Sequence, residues 1–320
     1  MARYGMTVPL DGVPLHEHHD WYREMLDLGY TDFWSSEANG SDGFTPLALA
    51  AAWAPEARLG VAIIPAYTRG PALMAMTVAS LAEAAPGRFV MGLGTSSNVI
   101  VERWNDVPFE KPYQKTRDMV RFLRKALAGE KVDERFETFQ VRGFRLGRKL
   151  EQPPPILVAA LRQGMLRMAG REGDGAILNW LGADDVKTVV PLVHEGGAGK
   201  EIVCRIFVCP TADRDLALQI GRRAVAAYLN VPVYAAFHDW LGRGPVLRPM
   251  WEAWRAGDRK AALAAIPDPV IDELIVHGSP EACREHIERY VASGVTTPAL
   301  ALLFPGRDLR QTIRDLAPRA

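Results

Sequence analysis

The sequence predicts an α/β chain that closes into a (β/α)8 TIM barrel. Eight short apolar runs, typical of parallel strands covered on both faces, alternate with helical patterns along the chain. Eight strand-then-helix units in 320 residues favour a closed barrel over an open doubly wound sheet. The predicted strands are residues 4–9, 32–35, 59–64, 89–93, 156–159, 176–178, 202–208 and 299–303.

The clearest predicted helix covers residues 112–128. Apolar side chains such as Met119 and Leu123 recur there at spacings of three and four. Pro112 suits the first turn because its missing N–H would have no partner there, and Gly129 follows as a stop.

Two insertions interrupt the alternation. Residues 134–150, after the fourth helix, resemble a hairpin, and residues 231–277, before the eighth strand, are rich in tryptophan and partly helical. Insertions in barrel loops shape a pocket or an oligomer contact. No linker divides the chain, so we expect one domain over 1–320. The aromatic side chains of the second insertion fit a pocket wall, a dimer interface or a small core of their own: Tyr234, Phe237, His238, Trp240, Trp251 and Trp254.

The charge balance and the apolar runs exclude several kinds of partner. Lysine and arginine total 38 and so do aspartate and glutamate, which argues against nucleic acid as the main partner. No apolar run reaches the roughly 18 residues of a membrane span, and the N-terminus lacks a signal-peptide pattern. Three cysteines without metal or disulfide spacing indicate reduced thiols in a cytoplasmic protein.

A histidine cluster at the start of the first helix raises the question of a metal. His16 and His19 share one helix face, and His18 lies between them. Metal sites normally draw ligands from several strands, and no partner histidine or cysteine follows another strand. We therefore favour a polar helix start and expect no metal.

The loop after the fourth strand offers hydroxyl groups at the predicted barrel mouth. Its glycines, Gly92 and Gly94, resemble a dinucleotide fingerprint whose last glycine is missing, and their small size would let a ligand approach the backbone. A Rossmann interpretation is disfavoured because the loop follows a fourth strand and no carboxylate ends the fifth. Thr95, Ser96 and Ser97 instead suit a polar ring edge or a phosphate.

The fifth strand opens directly into a helix whose first turn would attract an anion. Unpaired N–H groups and the positive end of the helix dipole meet there, and Arg162 adds charge. The alternative is that Arg162 is a solvated surface residue. After the sixth strand, Asn179 and Trp180 either line a pocket or pack beneath a loop.

Glu37 is the best-placed carboxylate for acid–base chemistry. It lies just beyond the second strand, at the end of a barrel where catalytic residues sit. The structural alternative is a glutamate that braces a loop.

Four stretches and a C-terminal segment together resemble the luciferase-like superfamily, and within it the coenzyme F420-dependent oxidoreductases of actinobacteria. The resemblance covers about residues 1–180 and resumes at 277–302. The stretches are WSSEANGSDGFTPLALAA, LGVAIIPAYTRGPALMAMT, RFVMGLGTSSNVIVERWNDVPFEKP, PPPILVAALRQGMLRMAGREGDGAILNW and HGSPEACREHIERYVASGVTTPALAL.

The resemblance implies a (β/α)8 barrel with a deazaflavin or flavin in its mouth, commonly in a homodimer. It also implies a non-proline cis peptide in the third strand, placed by position at Val61-Ala62, whose bulge presses on the cofactor ring. The cofactor-binding residues implied in this way are Ser36, Val61, Ala62, Ile64, Thr95, Ser96, Ser97, Ala160, Leu161, Arg162, Gln163 and Gly164, with Glu37 as the catalytic candidate.

The chain departs from related sugar-phosphate dehydrogenases at the positions expected to transfer protons. Those relatives carry Asp-His where this chain has Ser36-Glu37, and Glu where it has Ser97. Sugar-phosphate oxidation is therefore disfavoured.

The sequence thus predicts an oxidoreductase that transfers a hydride between coenzyme F420 and a small organic substrate of unassigned identity. The alternatives are an FMN-dependent monooxygenase of the same superfamily and a barrel that binds the cofactor without catalysis.

Overall fold

The computed structural model describes residues 3–303 and 308–319 as a parallel barrel surrounded by helices. Eight parallel strands close the barrel in the order β1-β2-β3-β5-β8-β9-β10-β12, with β12 pairing back to β1. The strands are β1 (Gly5–Thr7), β2 (Asp32–Ser35), β3 (Arg58–Val61), β4 (Ile64–Pro65), β5 (Phe89–Gly94), β6 (Val132–Arg135), β7 (Gln140–Phe144), β8 (Ile156–Ala159), β9 (Gly175–Asn179), β10 (Glu201–Cys209), β11 (Ile275–His277) and β12 (Thr297–Leu302).

Helices follow the barrel strands and pack around them. They are α1 (His18–Asp27), α2 (Thr45–Trp53), α3 (Pro71–Ala84), α4 (Pro112–Leu127), α5 (Gln163–Glu172), α6 (Ala183–His194), α7 (Arg214–Leu229), α8 (Pro232–Trp240), α9 (Gly244–Arg255), α10 (Arg259–Ala264), α11 (Asp268–Leu274), α12 (Pro280–Ala292) and α13 (Leu309–Asp315). No helix among the described residues is long and apolar enough to cross a bilayer.

The predicted fold class is confirmed, with two differences in the strands. The predicted third strand, 59–64, is broken into β3 and β4 around a cis peptide between Ala62 and Ile63. A further parallel strand, β11, was not predicted; it pairs with the end of β10, where β9 no longer reaches. Its three residues are too few for an alternating pattern to reveal them.

The barrel interior is filled by one apolar layer in its middle. Six strands each contribute one side chain to it: Trp34, Val90, Leu157, Ile177, Val203 and Ala299. Side chains of a strand alternate, so the residue two positions further on points to the same side. On β5 and β8 that residue is small, Gly92 and Ala159. On β9 and β10 it is polar, Asn179 and Arg205.

Gly92 is required by strand packing. A Cβ atom at this position would lie 1.8 Å from the carbonyl oxygen of Val61 and 2.6 Å from Ile177 Cδ1. The expectation that this glycine lets a ligand approach is therefore corrected: its missing side chain lets the end of β3 approach β5.

An ion-pair network closes the opposite, N-terminal end of the barrel. The Arg58 guanidinium donates to Asp32 Oδ1 at 3.1 Å and to both carboxylate oxygens of Glu201 at 2.6 Å. Thr297 Oγ1 also donates to Glu201, at 3.0 Å. The side chain of Asp32 has no exposed surface, so this arginine neutralises a buried charge.

Both insertions contain the predicted elements. The first is an antiparallel hairpin of β6 and β7. The second comprises helices α8–α11 and β11. Together with α7 it packs over Trp180 and Phe207, and these elements form a second apolar core. The expectation of a single domain over the whole chain stays a prediction.

Candidate functional site

A cavity of about 1300 Å³ lies at the C-terminal end of the barrel strands. This is the end at which TIM barrels bind ligands, and the volume is ample for a ring cofactor and a small substrate. Most predicted site residues line it: Ser36, Glu37, Ala62, Thr95, Ser96, Ser97, Ala160, Leu161, Arg162, Gln163 and Gly164. The structure therefore brings together four loops that are far apart in the sequence.

The third-strand bulge forms part of the cavity wall. The cis peptide joins Ala62 to Ile63, one residue later than the expected Val61-Ala62. Ala62 and Ile63 line the cavity, whereas Val61 and Ile64 do not. The latter two are fully buried and pack toward Gly43, because they belong to the strand segments on either side of the bulge.

Glu37 lies at the cavity wall but its carboxylate is already engaged. Arg69 donates to Oε1 at 2.6 Å, Thr68 Oγ1 donates to the same oxygen at 3.4 Å, and the Gly43 N–H donates to Oε2 at 3.1 Å. These contacts join the loop after β2 to the loop after β4. The arrangement is that of a loop-bracing glutamate; an ion-paired carboxylate accepts hydrogen bonds and has no proton to donate.

The turn after β5 presents polar groups to the cavity. It flanks the Ala62–Ile63 bulge on one side, and the loop after β2 flanks it on the other. Ser96 has a left-handed backbone with φ of 60°, uncommon for a non-glycine residue. The Ser97 hydroxyl accepts the N–H of Ile100 at 3.4 Å at the start of a π-helical turn, Val99–Trp104. Ser97 therefore helps to shape the loop in addition to lining the cavity.

The start of α5 has the free donors expected of an anion site. Arg162 is the N-cap residue, and no side chain caps this end of the helix. Arg162 is exposed at the cavity rim and has no ion-pair partner within residues 3–303 and 308–319. The first-turn N–H groups and a positive side chain thus converge on open space.

Three polar side chains on the far wall were missed as a group by sequence reasoning. Asn179 on β9 and Arg205 on β10 are register partners on neighbouring strands, and both line the cavity. Asn179 Nδ2 donates to the Tyr234 hydroxyl of α8 at 3.1 Å. Burial raises the pKa of Tyr234 to about 12, so the hydroxyl keeps its proton. A signal was present: Arg205 is a charged residue inside an apolar strand pattern.

Asn179 and Trp180 were expected either to line a pocket or to pack beneath a loop, and the two residues differ in this respect. Asn179 lines the cavity, but the buried Trp180 turns away with φ of 55° and stacks on Phe207 at a centroid distance of 4.0 Å. One residue therefore serves the pocket and the next packs beneath a loop.

The aromatic side chains of the second insertion divide between cavity and core. Tyr234 and Trp240 line the cavity, while Trp251 and Trp254 pack in the second apolar core. Phe237 and His238 are buried. Burial, together with the nearby charge of Arg243, lowers the pKa of His238 to about 3, so this ring is neutral at physiological pH.

The histidine cluster of the first helix lies away from this cavity. The buried His18 ring contacts the Leu10 N–H at 2.8 Å and the Pro14 carbonyl oxygen at 3.0 Å, which occupies both ring nitrogens. His19 bonds Asp20 at 2.8 Å. In the part of the chain that the structure describes, no three histidine, cysteine or carboxylate side chains form a group able to hold a metal ion.

The chain is similar over nearly its whole length to proteins of one family. It is 26% identical to 5,10-methylenetetrahydromethanopterin reductase of Methanolobus tindarius over 298 residues, covering 90% of each chain. It is 27% identical to the F420-dependent glucose-6-phosphate dehydrogenase of Rhodococcus erythropolis, over 82% of this chain and 78% of the relative.

Solved structures share the same fold. The coenzyme F420-dependent tetrahydromethanopterin reductase of Methanopyrus kandleri superposes with a TM-score of 0.80 at 21% identity, over 99% of this chain and 97% of the other. The model of the luciferase-like monooxygenase family matches residues 3–297. The superfamily expected from the sequence is thereby confirmed, and the chain belongs to the luciferase-like monooxygenase family.

Proposed function

We propose that this protein is an oxidoreductase that binds coenzyme F420 in the barrel-mouth cavity and transfers a hydride between it and a small organic substrate. The observation that carries the proposal is the shape of one cavity, which joins an apolar bulge, a hydroxyl-rich turn and an uncapped helix start. Relatives named as F420-dependent enzymes support the choice of cofactor.

The donors present in the cavity fit a deazaflavin with an anionic tail. The free N–H groups of α5 and the unpaired Arg162 suit the phosphate of the tail. Ala62 and Ile63 offer an apolar face for a flat ring, and Thr95 and Ser96 offer hydroxyls for its polar edge. When bound, the cofactor supplies the hydride chemistry at its C5 carbon.

The remaining residues would orient the substrate and exclude water. Ile177, Trp240 and Tyr228 add apolar surface to the lining of the cavity. Apolar side chains exclude water, and polar interactions within the cavity are stronger where water is excluded.

Within this proposal Glu37 braces the cavity wall. If so, Glu37→Gln keeps one acceptor oxygen for Arg69 and Thr68, loses the ionic part of the Arg69 contact and the acceptor of the Gly43 N–H, and lowers kcat by less than tenfold. If Glu37 transfers a proton, as the sequence suggested, the same variant lowers kcat roughly a hundredfold or more while cofactor affinity is preserved. Steady-state kinetics of the variant separates the two roles.

Titration of the purified protein with coenzyme F420 and, separately, with FMN tests the proposal. We expect quenching of tryptophan fluorescence with F420 at concentrations at least tenfold lower than with FMN. The Trp240→Phe variant is the matched control for the fluorescence signal. Trp240 lines the cavity, so a ligand bound there would quench its fluorescence. Binding of FMN alone would favour a flavin monooxygenase and overturn the proposal.

Turnover then separates an enzyme from a barrel that only binds the cofactor. Reduced F420 is mixed with a panel of carbonyl compounds, enones and imines, and oxidised F420 with alcohols, and the absorbance of the deazaflavin is followed. The proposal predicts turnover with at least one class. Tight binding without any turnover would indicate a non-catalytic barrel.

A further inference from the structure

The strongest unexplained feature of the cavity is the unpaired charge of Arg205. Its Nε is buried without a hydrogen-bond partner. In the described residues, 3–303 and 308–319, its guanidinium takes part in no ion pair; it lies over the Phe207 ring, 5.2 Å from the ring centroid, and the carboxylate whose charge acts on it is that of Asp11, beyond ion-pair distance. Burial lowers the pKa of this guanidinium, yet an arginine stays charged in proteins. A cation held in this way needs a counter-charge from elsewhere.

The neighbouring groups add further hydrogen-bonding positions beside Arg205. Asn179, in register with Arg205, has a buried Oδ1 without a hydrogen-bond partner; this oxygen accepts only, so the contribution of Asn179 toward an oxygen ligand is to hold Tyr234. Because Asn179 Nδ2 donates to the Tyr234 oxygen, the Tyr234 proton remains available to a ligand. The three side chains line one wall of the cavity, across the barrel from the Ala62–Ile63 bulge.

Small side chains share this part of the fold. Ala159 of β8 and Ala62 of the bulge line the same cavity as Arg205. Buried polar atoms without a partner, such as Arg205 Nε and Asn179 Oδ1, are rare in folded proteins and call for a ligand or water.

We propose that Arg205, with Asn179 and Tyr234, is the binding site for the carboxylate of the substrate, which makes the substrate a small organic acid. The planar guanidinium fork matches a carboxylate with two parallel hydrogen bonds, and the tyrosine hydroxyl adds a third donor. The apolar remainder of the acid lies against the aromatic side chains of Tyr228 and Trp240. This inference rests on the proposed function only in naming the acid a substrate.

The test is the binding of simple carboxylates and of their neutral amides to the apoprotein. Acetate, butyrate, benzoate and phenylacetate are each paired with the corresponding amide and measured by isothermal titration calorimetry. We expect at least one acid to bind ten times or more tighter than its amide. The Arg205→Met variant, similar in length but uncharged, loses that preference, and Arg205→Lys retains part of it.

Arg162 supplies the matched control, because among the described residues it is the other arginine without an ion pair that lines this cavity. Arg162→Met is expected to leave carboxylate binding unchanged and to weaken F420 binding several-fold, while Arg205→Met leaves F420 affinity within about twofold. If the wild type binds acids no better than amides, or Arg205→Met keeps the preference, the inference is wrong.

Two further outcomes separate the possible sources of error. Loss of F420 binding in Arg205→Met would show that the anionic oxygen belongs to the cofactor, and would overturn the substrate assignment. Failure of the wild type to bind F420, with carboxylate binding intact, would overturn the proposed function but leave the carboxylate site in place.

Discussion

Two arginines on barrel strands, Arg58 and Arg205, lie in opposite electrostatic surroundings. Arg58, at the start of β3, contacts Asp32 and Glu201 through three hydrogen bonds of 2.6 to 3.1 Å. Arg205, near the cavity, has no ion pair in the part of the chain that the structure describes. Both guanidinium groups lie beside aromatic rings, Trp34 and Phe207.

The difference separates an arginine of the fold from an arginine of the site. Removing Arg58 leaves carboxylates uncompensated, whereas removing Arg205 removes a charge that the folded chain does not neutralise. Residues kept for function in this way reduce stability, and their replacement stabilises the protein.

Replacing Arg58 is the largest expected perturbation. Arg58→Met leaves the partly buried Glu201 without its cation and the buried Asp32 with only the more distant Arg3, at 3.7 Å, and we expect a loss of about 3–5 kcal/mol in the free energy of unfolding. Urea denaturation followed by tryptophan fluorescence measures it. A loss below about 1 kcal/mol would remove the distinction between the two arginines.

The next prediction concerns the buried His238 ring of α8, which is tested by the pH dependence of stability. The pKa of His238 is lowered by burial from 6.5 to about 3, so below pH 6.5 the unfolded chain takes up a proton that the folded chain does not. Its contribution is complete above pH 6.5 and is lost as pH falls toward 3, at up to about 1.4 kcal/mol per pH unit.

The His238→Phe variant isolates that contribution. Other groups titrate in the same range, among them His286, whose pKa burial lowers to about 4, so the quantity of interest is the difference between variant and wild type. We expect the variant to lose less stability than the wild type between pH 7 and pH 5. Parallel curves for the two proteins would mean that His238 takes up its proton equally in the folded and unfolded states, and that its pKa is not lowered.

The smallest expected effect on stability comes from giving Arg205 a partner. Asn179→Asp places a carboxylate on the register-paired neighbour, with nearly the same shape. We expect a gain of about 1 kcal/mol or less, and a fall of at least tenfold in affinity for carboxylates, since the new aspartate occupies the guanidinium. Denaturation and calorimetry measure the two effects. Unchanged carboxylate affinity in this variant would contradict the assignment of Arg205.

The fold was predictable because it depends on pattern. Continuous apolar runs alternating with helical periodicity predict eight parallel strands without any knowledge of contacts. The break in the third strand was placed one residue early, at Val61-Ala62 instead of Ala62-Ile63, because both peptides lie in the same uninterrupted apolar run.

The loops that form the site were predictable from the sequence, but the contacts between their side chains were less so. The loops at the C-terminal ends of four strands meet in one cavity, as expected for a barrel. The contact of Glu37 with Arg69 and that of Asn179 with Tyr234 join residues 32 and 55 positions apart, and no local pattern encodes them. Arg205 could have been singled out from its apolar strand, but its lack of a partner is visible only in three dimensions.

The stability of Arg205→Met tests most directly the claim that this arginine is kept for a ligand. Urea denaturation of the variant beside the wild type, in buffer without carboxylates, gives the answer. We predict a free energy of unfolding equal to or greater than that of the wild type. A loss of several kcal/mol, comparable to that expected for Arg58→Met, would show that Arg205 is a structural residue and contradict the claim.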